Sequence, residues 1–497
     1  MRLFVFGIGG TGSRVLEALA FLLASGVELT DAQNQPVEVI PMLLDPDKTN
    51  KDTLDGISAL EMYQRIHEKR DDRNRVGFFS TKLAHLASVA KITRGNSGIS
   101  ESFRLNFEGL ENVTFRDFIQ FNRIQDPITR RIIESLYSED NLNDKLTGGF
   151  LGNPNVGSIV LSGFEDSADF SLFVNSFANG DRIFIVGSIF GGTGAAGLPW
   201  LLKALRSERQ IAGAAGAIRS APIGALMVLP YFNIQDDAKS PIESNVFIAK
   251  TKAALSYYAS HVYSTQAHQG GFDSVYYISD TAMTSYPNHP TGQQQSNEAH
   301  ILELLGAESI IRFAQASQSD FAQKTKAGYY EYAIDANTPV LNFKTIGKRS
   351  SQLFAKSLTQ LHMLALLNAQ YFRHSSNKTW AKENGFDKSF FDGSGFAEGL
   401  SHFLEVHYQS WIHQLSANKR SFSPFELATD VNNMTRLRTD QVAQKRTFRP
   451  QLGSELFEMK ANSLSHTVHG ASASLASFLN LWWRVTSSVF DDSYDSF

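Results

Sequence analysis

Two glycine runs carry the first chemical suggestion in this chain. Gly9, Gly10, Thr11, Gly12 and Ser13 follow the apolar stretch "RLFVFGI", and Gly191, Gly192, Thr193, Gly194 and Ala195 follow "RIFIVGSIF". In each, a buried strand runs into glycines and one threonine, and a helical pattern begins at once. A strand–glycine–helix turn aims backbone N–H groups and a helix N-terminus at an anion, and the absent side chains let a phosphate come close. Taken singly, either run also suits tight packing of a helix on a sheet. Two of them after buried strands of one sheet favour the anion, because both helix N-termini then lie at the carboxyl edge, where ligands bind.

Further residues are expected on that edge. Asp45 and Asp47 in "LLDPD" end the second strand and read either as a solvated, capped turn or as magnesium ligands, direct or through water, beside a polyphosphate. Gly152 and Asn153 in "GNPNVGS" form a third polar loop whose plainer reading is an Asn-Pro turn. Other chemistries are poorly served. The chain has no cysteine, which removes disulfides, thiolate zinc sites and cysteine nucleophiles. His466 and His469 have a spacing that puts two ligands on one helical face, but no acid or third histidine stands near in sequence, and they read as ordinary polar residues. A Gly-x-Ser-x-Gly elbow and basic runs interleaved with aromatics are both absent, and the formal net charge of −4 argues against nucleic acid as a partner.

The elements that must hold these residues follow from apolar patterning. Short apolar runs bounded by turns predict buried parallel strands at Arg2–Gly7, Glu38–Leu44, "RIFIVGS", Ala221–Phe232 and Phe272–Asp280. Helices are expected at Ser13–Ser25, over 53–70, 126–137 and 166–181, in "SPIESNVFIAKTKAALSYYASH", and in the long apolar stretch "QQQSNEAHILELLGAESIIRFAQ". Alternation of the two predicts an α/β fold with a doubly wound, mainly parallel sheet. After about residue 350 the patterns are helical, and Thr338–Ile346 is the last strand signal. "LNLWW" reads as core, and "SSVFDDSYDSF" as an acidic, aromatic end that frays. The longest apolar segment, Val15–Val27, contains Glu17 and is too short to span a bilayer, and no secretory signal is seen, so the expected location is cytoplasmic with no membrane span.

In order and spacing these motifs resemble the tubulin and FtsZ family. "VFGIGGTGSRV" is similar to the first phosphate loop of FtsZ, "LLDPD" to the acidic second loop of tubulin, "GFLGNPNVGS" to the Gly-Asn third loop, and "FGGTGAAG" to the signature GGGTGSG. The resemblance covers roughly residues 1–330. It implies a tubulin-type α/β domain over 1–292 with a divergent insertion at 51–147, and a central helix and following loop over 293–325. A mostly helical domain over 326–485 and a tail over 486–497 would follow. It also implies GTP or GDP with Mg²⁺ as cofactors, Asn297 reading the base from early in the central helix, and Glu243 contacting the ribose. In the family the loop after the central helix enters the next subunit's nucleotide site and its acids polarise water. Asp320 matches the first acid, but Gln323 stands at the second, so the resemblance implies binding with slow or impaired hydrolysis. Phe190 and Ala196 replace the first and last glycines of the signature and are expected to narrow the space beside the phosphates.

Two other readings stay open. "GIGGTGSRVLEAL" followed by "LLDPDKTNKDTL" is similar to the adenylating enzymes of the ThiF/MoeB type, a reading that gives "FGGTGAAG" no role, and the same start would also suit a dinucleotide-binding domain. Alternatively, a structural or regulatory protein keeps the fold, uses nucleotide as a folding or switching ligand, and meets a protein partner through its helical half or tail. Self-association into filaments or oligomers belongs to the first reading. The expectation is a prokaryotic GTP-binding protein of the tubulin/FtsZ type.

Overall fold

The computed structural model describes residues 1–70, 76–90, 99–107, 109–110, 112–146, 150, 152–207, 215–235, 245–261, 271–281, 284–287, 297–322, 327–332, 335–444, 450–465 and 473–495. One sheet holds six strands: β1 (Arg2–Ile8), β2 (Glu38–Leu44), β3 (Arg182–Ser188), β4 (Ile223–Val228), β5 (Ser274–Ile278) and β6 (Gly328–Tyr332). Their order across the sheet is β2-β1-β3-β4-β5-β6, and every neighbouring pair is parallel. Phe6 sits in register with Met42 on one side and Ile185 on the other. Side-chain alternation sends Leu3 and Val5 into one core and Phe4, Phe6 and Ile8 into another, so the sheet is covered on both faces and its strands read as unbroken apolar runs.

Helix α1 (Gly9–Ala24), α2 (Lys51–His67) and the central α7 (Ile301–Gln315) cover the first face. Helices α4 (Pro154–Ser162) and α5 (Gly192–Arg206) cover the second. The segment expected to be an insertion serves the edge at β2. Leu43 N–H donates to Phe103 O at 2.7 Å and Leu105 N–H donates to Leu43 O at 2.9 Å, while Val39 N–H donates to Lys82 O at 2.9 Å. Backbone groups that an open edge would leave unpaired are thus satisfied. Buried Asp169 fixes this cover by accepting from Ser100 N at 2.9 Å and Asn106 N at 2.6 Å. On its surface the segment carries a short helix, α3 (Pro127–Leu136).

Three expectations change. The opposite edge strand, β6, was not anticipated, because "GYYEY" is exposed and polar rather than apolar. Within Thr338–Ile346 only Val340 and Leu341 pair, with Ser421 and Phe422. The central helix begins at Ile301, later than its apolar pattern suggested, because His300 caps it: His300 Nδ1 accepts Leu302 N–H at 3.2 Å, and Glu303 reaches back to His300 N at 3.1 Å.

The C-terminal half is mainly helical, as in α8 (Lys348–Gln370), α9 (Gln409–Ala417) and α10 (Leu475–Ser493). Phe21 of α1 packs on Trp411 at 4.8 Å and Phe403 at 5.6 Å, so this half shares a core with the first face of the sheet. Leu481 and Trp482 of "LNLWW" are buried. The end does not fray over its described residues: α10 runs to Ser493, and buried Tyr494 lies under the Arg438 guanidinium at 5.2 Å. Among the described residues no helix is long and apolar enough to cross a membrane.

Candidate functional site

Strand order reverses between β1 and β3: the chain leaves β1 for β2 on one side, while β3 and its successors build the other. At that point α1 starts at Gly9 on one face and α5 at Gly192 on the other, so the glycines form the first helical turns rather than loops ahead of them. Neither helix has a side-chain cap, since Ile8 and Gly191 occupy the N-cap positions. By contrast, Asn50 caps α2 and Asn153 caps α4. Uncapped first turns leave backbone donors facing the crevice.

The three glycine segments meet there. A Cβ placed on Gly9 would lie 3.5 Å from Thr193 Cβ, and one placed on Gly192 would lie 3.0 Å from Gly152 N and 3.1 Å from Asn153 N. Gly9 and Gly152 have φ of +66° and +74°, a backbone conformation that favours glycine. Gly10, Thr11, Gly191 and Thr193 are half-buried along the rim.

The remaining residues of the two runs do structural work. A Cβ on Gly12 would sit 2.5 Å from Gly7 C, and one on Gly194 would overlap Ser188 O, so both allow a helix to press on a strand. Ser13 is fully buried and donates to Asp52 O at 3.1 Å, facing α2 rather than the crevice. Ala195 O accepts the Tyr258 hydroxyl at 2.9 Å. Phe190 turns into an aromatic cluster with Phe247 at 5.1 Å and Phe232 at 5.6 Å, and Ala196 packs against α4 near Gly157. The phenyl ring and the methyl are therefore absorbed by packing. Asn153 spends its side chain as the α4 cap, accepting Asn155 N–H at 3.1 Å and Val156 N–H at 3.4 Å.

Asp45 and Asp47 are buried in their own turn. Asp45 accepts the Thr53 hydroxyl at 2.7 Å and Asp47 N–H at 3.1 Å, and burial pushes its carboxyl up to about 6. Asp47 accepts Thr49 N–H and Oγ1–H, both at 2.8 Å. These bonds suit an Asx-type turn. Among the described residues no group of three or more His, Cys, Asp or Glu side chains is placed to hold a metal ion. The side chains bordering Gly10 are Asn50 and Asp52, whose Nδ2 and Oδ2 would lie 3.1 and 3.6 Å from a Cβ there.

Asn297 lies in the extended segment before α7. Its carbonyl accepts from Arg14 Nη1, the Glu298 carbonyl accepts from Nη2, and Asn297 N–H donates to Asp52. Arg14 Nε donates to Glu303 Oε1 at 2.6 Å, and Nη1 is 3.4 Å from Asp52 Oδ1. One buried guanidinium thus ties α1, α2 and the start of α7 together. Asn297, Arg14, Glu17, Asp52, Trp411 and Gln414 border a cavity of about 160 Å³. Burial lowers His300 to about 4 although Asp280 stands 3.7 Å away, so its ring is neutral at neutral pH.

Two basic residues escaped the sequence reading. Lys250, on α6 (Asn245–His261), donates to Gly152 O at 2.9 Å, and burial lowers its ammonium below the usual lysine value. In sequence it is one lysine on a mixed helix. Arg14 had a readable signal: with Glu17 it is a charge inside the otherwise apolar face of α1.

Asp320 is not brought to the crevice. It lies in the first turn of the short helix Gln318–Ala322, beyond the C-terminal end of α7, where Ser317 Oγ accepts Asp320 N–H at 3.2 Å and Asp320 Oδ2 accepts Ser317 N–H at 2.8 Å. That end is held at the start of β3, where Arg182 donates to Phe313 O at 2.8 Å, so Asp320 belongs to the amino edge of the sheet. Gln323, Glu243, His466 and His469 lie outside the described residues. No protein-family model matches this chain, and no curated protein matches it.

Proposed function

We propose that the crevice between β1 and β3 binds the polyphosphate of a guanine nucleotide, GTP or GDP, in the manner of the tubulin/FtsZ family. The observation that carries this reading is the meeting of three glycine segments at the strand-order reversal, with two uncapped helix N-termini on opposite sides. Ligands of open α/β sheets bind at such a point, and paired N-termini favour negative charge. Backbone N–H groups of Gly9–Thr11 and Gly191–Thr193 would hold phosphate oxygens, and Lys250 supplies a cation beside them. Asn297 is held through its backbone by Arg14 and by Asp52, and Asp52 in turn borders Gly10, so Asn297 suits a role at the base or ribose end. Because Asp45 and Asp47 are engaged in their own turn, they suit magnesium held through water rather than direct ligation. Asp320 lies at the opposite edge, so activation of water at the crevice requires a second copy of the chain.

Titration calorimetry of GTP, GDP and ATP with magnesium, on the wild type and on Asn297→Ala, tests the reading. GTP preferred over ATP, with the preference reduced in Asn297→Ala, is expected. ATP preference, or no nucleotide binding, overturns it.

A further inference from the structure

Helix α1 carries one acid for which the fold supplies no donor. Gly10, Arg14 and Glu17 are spaced four and three residues apart, so they fall on one face of α1, the face turned to α2 and to the start of α7. Gly10 borders the crevice, and Arg14 is tied to Glu303, Asp52 and the carbonyls of Asn297 and Glu298. Glu17, the next residue of the stripe, has no hydrogen bond or ion pair among the described residues. It borders instead the cavity of about 160 Å³ that it shares with Arg14, Asp52, Asn297, Trp411 and Gln414. A carboxylate kept from water without a donor is costly, and a ligand that brings donors removes the cost.

The place and size of the cavity choose its occupant. From Gly10 to Glu17 is seven residues, about 10 Å along α1, which is the reach of a ribose and a base from phosphates held at the helix start. Crevice and cavity also share residues, since Asp52 borders Gly10 and lines the cavity together with Asn297. Its volume equals about five waters' share of the liquid, room for one flat heterocycle. Guanine carries two donors side by side, N1–H and the 2-amino group, and a carboxylate with both oxygens unengaged accepts the pair. Adenine shows an acceptor nitrogen and a C–H on that edge, which would leave the carboxylate unmet.

We infer that Glu17 is the residue by which this chain selects guanine: its two carboxylate oxygens accept N1–H and the 2-amino group of a base seated in the cavity beside Asn297. This role rests on the nucleotide reading of the crevice and adds a specificity determinant to it. The other charged or titratable groups on the cavity are Arg14, Lys51, Asp52, Asp55 and His407, with Lys51 paired to Asp55 and Glu303 behind Arg14. Burial pushes the unmet carboxyl of Glu17 up to about 8, opposed by Arg14 and reinforced by Glu303, Asp55 and Asp52. Two donors from the base favour the ionised form, so at pH 7 guanine enters with loss of that proton.

Titration calorimetry of GTP, ITP, XTP and ATP with magnesium, on the wild type and on the similarly shaped Glu17→Gln, tests this role. The wild type should bind GTP about tenfold or more above ITP, which lacks the 2-amino group. Glu17→Gln should lose about tenfold to a hundredfold in GTP affinity, leave ATP unchanged, and gain XTP, whose 2-oxo group accepts from the carboxamide. In two buffers of different ionisation enthalpy at pH 7, GTP should release close to one proton more from the wild type than from Glu17→Gln. A folded Glu17→Gln that keeps the wild-type ratios of GTP to ITP and to ATP overturns the role of Glu17 and leaves the crevice reading standing. Failure of the wild type to bind any of the four, or a preference for ATP, overturns the crevice reading and the role of Glu17 with it.

Discussion

Replacing Gly192 by alanine puts one methyl where the Gly191–Ala195 and Gly152–Asn153 segments touch. Its Cβ would meet Gly152 N at 3.0 Å, Asn153 N at 3.1 Å and Gly152 Cα at 3.1 Å. All three are backbone atoms, so no flexible side chain can swing away. Retreat is also restrained, because Asn153 N–H donates to Phe150 O at 2.7 Å and its side chain caps α4. Relief needs a shift of a few tenths of an ångström in one segment, an overpacking cost of about 1–3 kcal/mol. Gly109 provides a control: its φ is +75° but nothing lies within 4 Å of its Cβ position, so Gly109→Ala carries only the left-handed backbone penalty, about 1–2 kcal/mol. Both variants should melt below the wild type by comparable amounts. Only Gly192→Ala should lose nucleotide affinity, about tenfold for each 1.4 kcal/mol of strain expressed in the bound state. Thermal melts and titration of a fluorescent guanine nucleotide read the two effects separately. Wild-type affinity in a folded Gly192→Ala would refute the assignment of this junction to phosphate binding.

Other consequences follow from the same contacts. Lys250→Met should weaken triphosphate binding about tenfold, the lower range for a charged hydrogen bond at a half-buried site, and should leave nucleoside binding unchanged; calorimetry with both ligands checks this. Arg14→Met strands Glu303 and Asp52 as buried carboxylates, with a destabilisation of about 3–5 kcal/mol in urea unfolding, and Arg14→Met/Glu303→Gln should recover part of that loss. Burial raises Glu17 from 4.5 to about 8, opposed by Arg14 and reinforced by Glu303, Asp55 and Asp52. The folded state then keeps a proton that the unfolded chain has lost, so stability declines as pH rises from 4.5 towards 8. Glu17→Gln should flatten that decline in urea titrations across the window. Because Glu17 borders an open cavity and is screened by solvent, the gain near pH 8 is about 1–2 kcal/mol.

The buried architecture is legible in the amino-acid pattern. Strands covered on both faces must be apolar throughout, so β1 to β5 are visible as short runs, and the glycines that let α1 and α5 press on β1 and β3 are visible because no other residue tolerates the contact. The same pattern also marked the edge on which the glycine segments would gather. Exposed or shared positions take their roles from long-range packing. Strand β6 is an edge strand whose tyrosines and glutamate carry no apolar run, and its place is set by pairing with β5. The start of α7 was decided by a buried histidine cap, and the engagement of Asp45, Asp47, Ser13 and Asn153 by partners a few residues or a helix away. Lys250 and Arg14 gain their meaning from residues about a hundred and nearly three hundred positions distant, Gly152 and Glu303 respectively. Local pattern reports how much water a residue avoids, whereas which groups it meets depends on how distant elements close upon one another.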